Sequence, residues 1–300
     1  MNILITGAWR NCDCNIEKIK HMGHNVAFMQ RENDSLPCEY DWVDAVICNS
    51  LFLFHPIEKF VNLKYIQLTS AGYDRVPLDY VKKHNIDIYN ARGVYSIPMA
   101  EYAVASALQL YKNFTFFHDN QKNKLWEKDR SLQELYGKTV CVVGCGSVGT
   151  ECAKRFKAFG CKTIGVDISF KVDNAFDKIV LLEALDMVIS QTDIVILTLP
   201  LTDETYHIFN KERFSFLKSD VILINISRGA VVDTQALVEF FSNDRPQATA
   251  VLDVFEDEPL PQSSVLWEMK NIFITPHNSF IGDANNERLA DLILSNLSQI

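Results

Sequence analysis

The chain has 300 residues, 48% of them hydrophobic, and its 29 basic and 38 acidic side chains give a net charge of −9. This length suits two domains of ordinary size or one large one, and the negative balance argues against a nucleic-acid partner, whose phosphates require a basic surface. The residues Met1–Gly7 lack the positive start of a secretory signal, and no apolar run reaches the roughly 18 residues of a membrane span, so we expect no membrane partner.

Short apolar runs alternate with helical patterns in the first third of the chain. The predicted buried strands are Ile3–Thr6, Asn25–Met29, Ala45–Cys48, Tyr65–Leu68 and Ile86–Tyr89. Runs that are apolar throughout are typical of strands buried on both faces, so the pattern predicts a small parallel sheet covered by helices.

A long periodic helix is predicted from about Pro98 to Phe117, because proline suits a first turn and the alanines and leucines fall on one stripe. A second series of strands follows at Thr139–Val143, Thr163–Val166, Ile194–Leu199, Val221–Ile226, Ala250–Val254 and Ile272–Thr275. The chain ends in a predicted helix at about 283–299. Two α/β series joined by one helix predict two domains.

A glycine-rich turn follows the strand Thr139–Val143 and precedes a predicted helix. It reads Gly144-Cys145-Gly146-Ser147-Val148-Gly149, the GxGxxG pattern in the strand–turn–helix context that dinucleotide binding requires. Gly144 makes the tight turn, Gly146 lets the backbone approach the pyrophosphate, and Gly149 lets helix and strand pack closely. The helix N-terminus, with Ser147 and Val148, offers free N–H groups to the phosphates.

Asp167 ends the next strand and is placed to accept hydrogen bonds from the ribose hydroxyls. An acidic side chain there repels the 2′-phosphate of NADP, and Lys171 is the only cation that follows closely. The sequence therefore predicts NAD as the cofactor.

Polar side chains follow three successive predicted strands. Arg228 lies in 225–233, Asp253 and Glu258 lie in 252–259, and His277 lies in 275–278. Because the carboxyl ends of parallel strands face the ligand crevice, we expect these side chains to converge.

These residue types match the needs of 2-keto acid reduction. The planar guanidinium of an arginine can hold a carboxylate and polarise a carbonyl. Histidine is the side chain best suited to deliver a proton near neutral pH, and a neighbouring carboxylate orients the ring and stabilises its charged form. Arg228, His277 and Glu258 fit these catalytic roles in that order.

The ordered motifs resemble the D-isomer-specific 2-hydroxyacid dehydrogenase family over about residues 65–280. The matching stretches, besides those above, are Leu135–Thr139, Leu199–Thr202, Thr205, His207 and Pro276-His277. The resemblance implies an α/β protein with two doubly wound parallel-sheet domains, a Rossmann NAD-binding domain (96–278) inserted in a flavodoxin-like substrate domain (1–95 and 279–300). It implies cofactor contacts at Pro200, Thr205 and Asp253, the last with the nicotinamide carboxamide, and a homodimer formed through the long helix.

Two stretches depart from the pattern of the family. Asn278–Gly282 stands where small residues and a glycine are usual, and Ala248-Thr249 replaces a glycine before the strand that follows. The first departure lies beside the presumed chemistry.

The loop Thr69–Asp74 resembles the family loop that holds a substrate carboxylate with backbone N–H groups, which makes Ser70, Ala71 and Gly72 candidates; a plain glycine turn is the alternative. Members that act on phosphoglycerate would need arginines here and in 49–55, whereas Leu68 stands where a cation is expected. We therefore predict an unphosphorylated substrate with an apolar side chain, unless the aromatic and aliphatic residues of 49–55 only fill the core or a dimer contact.

Cysteine usage favours a reducing compartment. Most of the eight cysteines lie in apolar runs, where the thiol behaves as a small hydrophobic group, and without a secretory signal we expect free thiols and a cytoplasmic protein. Cys12 and Cys14 have no second pair at zinc-site spacing, so no metal is expected.

The sequence thus predicts a cytoplasmic NAD-dependent dehydrogenase of small D-2-hydroxy or 2-keto acids. Two alternatives stay open: a phosphoglycerate-, formate- or phosphite-type dehydrogenase on the same scaffold, and an interaction protein that senses NAD(H) with little turnover.

Overall fold

The computed structural model describes residues 1–10, 13–170, 172–242 and 247–299. Cys12 and Lys171, which entered the arguments on metal binding and cofactor choice, lie outside the described residues. Within these ranges no helix has the length and apolar character that a bilayer crossing demands.

The elements alternate along the chain as the sequence pattern predicts. The strands are β1 (Asn2–Thr6), β2 (Asn25–Met29), β3 (Ala45–Cys48), β4 (Tyr65–Leu68), β5 (Asp87–Tyr89), β6 (Thr139–Val143), β7 (Lys162–Asp167), β8 (Lys178–Leu181), β9 (Ile194–Leu197), β10 (Ile222–Asn225), β11 (Thr249–Leu252) and β12 (Ile272–Ile274). The α-helices are α1 (Asp13–His21), α2 (Leu78–Lys83), α3 (Ser96–Tyr111), α4 (Phe114–Asn123), α5 (Ser147–Ala158), α6 (Leu185–Ile189), α7 (Lys211–Ser215), α8 (Thr234–Ser242) and α9 (Asn285–Leu297). Short 3-10 helices lie at Tyr40–Trp42, Leu51–Leu53, Ile57–Lys59, Leu182–Ala184, Gly229–Val231 and Val265–Glu268.

Two compact units divide the chain. Unit one combines Met1–Tyr95 with Gly282–Ile300, and unit two is Ser96–Ile281. The chain therefore returns from unit two to unit one after residue 281, whereas the sequence predicts this boundary after residue 278.

Unit one contains a five-stranded parallel sheet in the order β2-β1-β3-β4-β5. This is the flavodoxin-like order. Strands β3 and β4 are buried along their whole length, as their continuous apolar sequence requires. The last helix, α9, belongs to this unit because its residues Leu289, Ile293 and Leu297, one helical turn apart, pack in the same core cluster as β1.

Unit two contains a seven-stranded parallel sheet in the order β12-β11-β10-β9-β6-β7-β8. The order reverses between β6 and β9, which is the Rossmann arrangement with its ligand-binding reversal point beside the first strand. The prediction of two doubly wound parallel-sheet domains is confirmed.

The single long helix predicted from Pro98 to Phe117 is wrong. Helix α3 ends at Tyr111, and α4 begins at Phe114 after Asn113 adopts a left-handed conformation with φ 46°. Asparagine tolerates this region better than most residues, and its side-chain amide donates to Asp129 Oδ2 at 2.7 Å. The left-handed residue interrupts the helix where the apolar periodicity continues.

Asp193 forms hydrogen bonds at the start of the central strands of unit two. Because its carboxylate is charged, we expect the stability of the fold to depend on pH. Its carboxylate accepts from the Thr139 N–H at 2.8 Å and from Lys218 Nζ at 2.5 Å. Burial works to raise the pKa of Asp193, but the Lys218 ammonium and the Thr139 N–H outweigh it and hold that pKa below its ordinary 3.8. A carboxyl whose pKa is lower in the folded chain than in the unfolded chain stabilises the fold at any pH above its unfolded-state pKa. This contribution is lost as the pH falls through the folded-state pKa.

We expect Asp193→Asn to reduce the free energy of unfolding at pH 7 by about 1–2 kcal/mol, because a charged hydrogen-bond acceptor is lost. The difference from the unmodified protein should begin to shrink below about pH 4, where the carboxyl of the unfolded chain takes up protons, and it should vanish once the pH lies below the lowered folded-state pKa. Urea denaturation at several pH values measures both effects, with the exposed Asp203 changed to asparagine as the matched control. A difference that stayed constant with pH would contradict the charge-based explanation.

Candidate active site

The glycine-rich turn joins β6 to α5 in the geometry that a dinucleotide needs. Gly144 has φ +98°, and a Cβ built on Gly149 would lie 2.1 Å from the Gly144 carbonyl oxygen, so both positions require glycine. A Cβ on Gly146 would meet nothing within 4 Å, which leaves open space above the turn. Helix α5 begins at Ser147 with Gly146 as its cap, so its first N–H groups, including those of Val148 and Gly149, point into that space. These residues fit the pyrophosphate of NAD.

Asp167 ends β7 beside this turn. Its Oδ2 accepts from the Cys145 N–H at 2.8 Å, and its Oδ1 accepts from the Ser169 N–H at 3.3 Å. These bonds hold the glycine turn, and the contact of Asp167 with the ribose hydroxyls stays a prediction. The placement fits the predicted ribose contact and adds a structural role that the sequence did not show.

Pro200 and Thr205 lie in the loop after β9. The Thr205 hydroxyl is buried; it donates to the Pro200 carbonyl oxygen at 2.7 Å and accepts from the Thr202 N–H at 2.7 Å. These contacts fix the shape of the loop. A direct contact of Thr205 with the cofactor stays a prediction.

His277 and Glu258, which are 19 residues apart in sequence, form a hydrogen bond in unit two. His277 Nδ1 lies 2.8 Å from Glu258 Oε2, and the two side chains are 38% and 36% exposed. Glu258 Oε1 accepts from the Phe255 N–H at 3.0 Å, which fixes the carboxylate. The pair is therefore both held in place and accessible to a ligand. Phe280, from the departing stretch, contacts the His277 ring edge-on with centroids 5.8 Å apart.

The turn that carries Arg228 lies against the loop that carries Glu258. A Cβ on Gly229 would stand 1.9 Å from the carbonyl carbon of Phe255 and 2.4 Å from the Glu256 nitrogen, so the two backbones touch at Gly229. Arg228 Nη1 donates to the Ser227 carbonyl oxygen at 2.8 Å. The residues of the predicted catalytic trio thus come from adjoining segments of unit two.

A second histidine–glutamate pair uses the same loop. His207 Nε2 lies 3.2 Å from Glu256 Oε1, and this carboxylate oxygen also accepts from the N–H and the hydroxyl of Thr234 at 3.0 and 2.9 Å. The His207 N–H donates to the Ala230 carbonyl oxygen at 2.8 Å. Since these bonds link the turn after Arg228 to the loop before Glu258, the second pair holds the two segments together.

Asp253 follows β11 and is fully buried. Its carboxylate accepts from the Thr275 hydroxyl at 2.6 Å, the Asn278 N–H at 2.7 Å and the Ser279 N–H at 2.9 Å. Three of its roughly four acceptor positions are therefore used by the protein. The predicted contact with the nicotinamide carboxamide remains a prediction.

The candidate substrate loop lies after β4 in unit one. Within the described part of the chain, the N–H groups of Ser70, Ala71 and Gly72 donate no hydrogen bond to the protein. Carbonyl contacts hold the loop instead, since the Ala91 N–H donates to Ser70 at 2.8 Å and the Asn90 amide donates to Ala71 at 2.5 Å. Free N–H groups on an anchored loop can bind an anion.

Two residues that contact the loop after β3 were not predicted from the sequence. Glu32 accepts from the N–H groups of Asn49 and Ser50 at 2.7 Å each and so fixes the loop after β3. Arg75 is exposed and donates to the Asn49 side chain at 3.0 Å, which links the two loops of unit one. Leu68, at the position where a phosphoglycerate-type member would need a cation, is buried in the core.

In the described ranges, no group of three or more His, Cys, Asp or Glu side chains could hold a metal ion. Cys14 and the other six cysteines of those ranges are free thiols.

Comparisons of the chain with known proteins identify similar sequences and folds. The model of the family described as D-isomer specific 2-hydroxyacid dehydrogenase, NAD binding domain, matches residues 104–279. A glyoxylate reductase of Thermofilum pendens is 32% identical over 275 residues, 89% of this chain and 78% of that protein. A D-3-phosphoglycerate dehydrogenase of Methanocaldococcus jannaschii is 33% identical over 74% of this chain and 42% of its own length. The crystal structure of a D-lactate dehydrogenase from Aquifex aeolicus, complexed with NAD and lactic acid, has a TM-score of 0.81 and 27% identity, and the match covers 99% of this chain and 94% of that one.

Proposed function

Because the chain belongs to the D-isomer specific 2-hydroxyacid dehydrogenase family and is an NAD-dependent oxidoreductase, we propose that it interconverts a small unphosphorylated D-2-hydroxy acid and its 2-keto acid. The observation that carries the proposal is the 2.8 Å contact of His277 with Glu258 beside the Arg228 turn. The names of the relatives cover three different substrates, so the choice of substrate rests on this chain's own residues.

Proton transfer is assigned to His277. Since the Glu258 carboxylate can only accept, Nδ1 carries a proton, and this leaves Nε2 to exchange a proton with the substrate oxygen. When bound, NADH supplies the hydride that reaches the keto carbon. Glu258 holds the tautomer and stabilises the positive ring that exists before the proton is given up.

Arg228 is assigned to hold the substrate. A guanidinium binds a carboxylate through two parallel hydrogen bonds and also draws electron density from a neighbouring carbonyl. We further propose that the N–H groups of Ser70, Ala71 and Gly72 bind the substrate carboxylate, which their lack of protein acceptors in the described chain supports.

The side-chain preference of the substrate follows from the loop after β3. Leu51 is buried in the core and Phe52 packs against Phe60, whereas Leu53 and Phe54 are exposed, at 61% and 55%. The exposed pair can therefore contact an apolar substrate group, and this supports a branched or aromatic 2-keto acid. The exposed, positively charged side chain of Arg75 favours a second candidate, a substrate with an additional anionic group.

A panel of 2-keto acids tests the proposal. We expect NADH oxidation to be faster with 4-methyl-2-oxopentanoate or phenylpyruvate than with 3-phosphohydroxypyruvate, at ordinary enzyme rates of roughly 1–1000 per second. Glyoxylate and oxaloacetate complete the panel, and Arg75→Gln separates the two candidates, because it should slow only a substrate with an added negative charge. Fastest turnover of the phosphorylated substrate would overturn the apolar assignment, and binding of NADH without turnover would favour a sensing protein.

We also propose a homodimer and a cytoplasmic location. Large apolar side chains on α4 and in the loop that follows support a partner surface, among them Phe114 at 60% and Trp126 at 98% exposure. The free thiols of the described cysteines suit a reducing compartment.

A further inference from the structure

A chain of hydrogen bonds connects helix α3 to the turn that carries His277. Tyr102 Oη lies 2.7 Å from Thr275 Oγ1, and Thr275 Oγ1 lies 2.6 Å from Asp253 Oδ1. All of these residues belong to unit two. Tyr102 and Thr275 are separated by 173 positions in sequence, so only the fold brings them together.

The donor and the acceptor of each hydrogen bond in this series follow from the number of hydroxyl protons available. Asp253 accepts, so the single hydroxyl proton of Thr275 goes to its carboxylate, and Tyr102 must donate to Thr275. Burial raises the pKa of the Tyr102 phenol above its ordinary value, which keeps the donor protonated. The phenol thus orients the threonine hydroxyl toward the carboxylate.

Asp253 in turn holds the backbone of the histidine turn. Its carbonyl oxygen accepts from the His277 N–H at 2.8 Å, and its carboxylate accepts from the next two N–H groups, those of Asn278 and Ser279. His277 has φ +50°, a left-handed conformation that is strained outside glycine and persists only where the surroundings impose it. Three consecutive N–H groups bound to one residue are such surroundings.

We propose that Tyr102 is a positioning residue of the reaction, which acts through Thr275 and Asp253 to fix the turn that aims His277. The inference rests on the proposed role of His277. Removal of the phenol hydroxyl leaves Thr275 without its donor, so the hydroxyl, the carboxylate and the turn gain alternative positions. A shift of the imidazole reduces the fraction of bound substrate that is aligned for proton transfer, because catalytic geometry tolerates displacements of well under an ångström.

Tyr102→Phe is the direct test. We expect kcat to fall roughly tenfold or more, as changes to hydrogen-bond partners behind a reacting group do, while KM for NADH changes less, because the glycine turn and Asp167 lie on other segments. Tyr111→Phe is the matched control, since it removes the same atom from a buried tyrosine on the same helix. Thr275→Ser should retain most of the activity and Thr275→Val should lose it, because the first keeps the hydroxyl and the second keeps only the shape.

A second measurement separates positioning from loss of fold. The ring nitrogen-15 resonances of His277 in cofactor-free protein should change in Tyr102→Phe and not in Tyr111→Phe, with equal melting temperatures for both. Unchanged resonances and kcat within about twofold of the unmodified enzyme would overturn the inference. If His277→Ala itself keeps full turnover, the proposed function fails; if it abolishes turnover while Tyr102→Phe does nothing, only the positioning role fails.

Discussion

His277→Ala is expected to lower kcat for 2-keto acid reduction by about a thousandfold, within the range of about 10²–10⁴ that general acid catalysis contributes. The alanine removes the ring whose Nδ1 is held by Glu258 at 2.8 Å, so no positioned group can give a proton to the substrate oxygen as the hydride arrives. The affinity for NADH should change little, because the glycine turn and Asp167 lie on other segments. Stopped-flow measurement of NADH oxidation and fluorescence titration of NADH give the two quantities separately.

The comparison with His207 makes this test specific. His207→Gln changes another histidine that faces a glutamate of the same loop, 3.2 Å from Glu256, and we expect it to reduce kcat far less than His277→Ala does. Glu258→Gln should lie between the two, with a loss of roughly 10–100-fold typical of a residue that orients a reacting ring. Equal losses for both histidine variants would show that the loop, and not the imidazole of His277, was being tested.

Much of unit two could be predicted because its signals are local. Strand β6 and the glycine turn follow each other within eleven residues, and the need for glycine there comes from the φ of +98° at Gly144 and from the approach of Gly149 to the Gly144 carbonyl oxygen. Buried strands such as β3 and β9 were found because they are apolar throughout. Strand β8 was missed since it lies at the edge of the sheet, where its ends, Lys178 and Leu181, are exposed and the apolar pattern is weak.

The remaining differences depend on contacts between segments that are distant in sequence. The order of motifs predicts that His277 and Glu258 converge, but the left-handed backbone of His277 and its support by Asp253 come from pairing of β11 with β12. In the same way, Arg75 reaches Asn49 only because β3 and β4 are neighbours. Sequence spacing identifies such residues as polar and close to a loop, and the sheet decides what they touch.

Gly229→Ala is expected to reduce kcat/KM by about a hundredfold, the cost of moving catalytic groups by roughly an ångström. A methyl group at this position would stand 1.9 Å from the carbonyl carbon and 2.0 Å from the oxygen of Phe255. These are backbone atoms, so neither neighbour can turn aside, and the Arg228 turn must separate from the loop of Glu258. The collision should also lower the free energy of unfolding by about 1–3 kcal/mol, as overpacking of a buried contact does.

Gly137→Ala is the control that isolates this effect. Gly137 has φ +78°, and a Cβ there would meet nothing within 4 Å, so the variant carries backbone strain of about 1–2 kcal/mol without a collision. We expect it to lose stability and to keep its kcat/KM, whereas Gly229→Ala loses both. Because Arg228 and Glu258 lie on the two segments that Gly229 joins, a Gly229→Ala enzyme with unchanged kcat/KM would mean that their spacing does not matter to the reaction, and the assignment of the trio would fall with it.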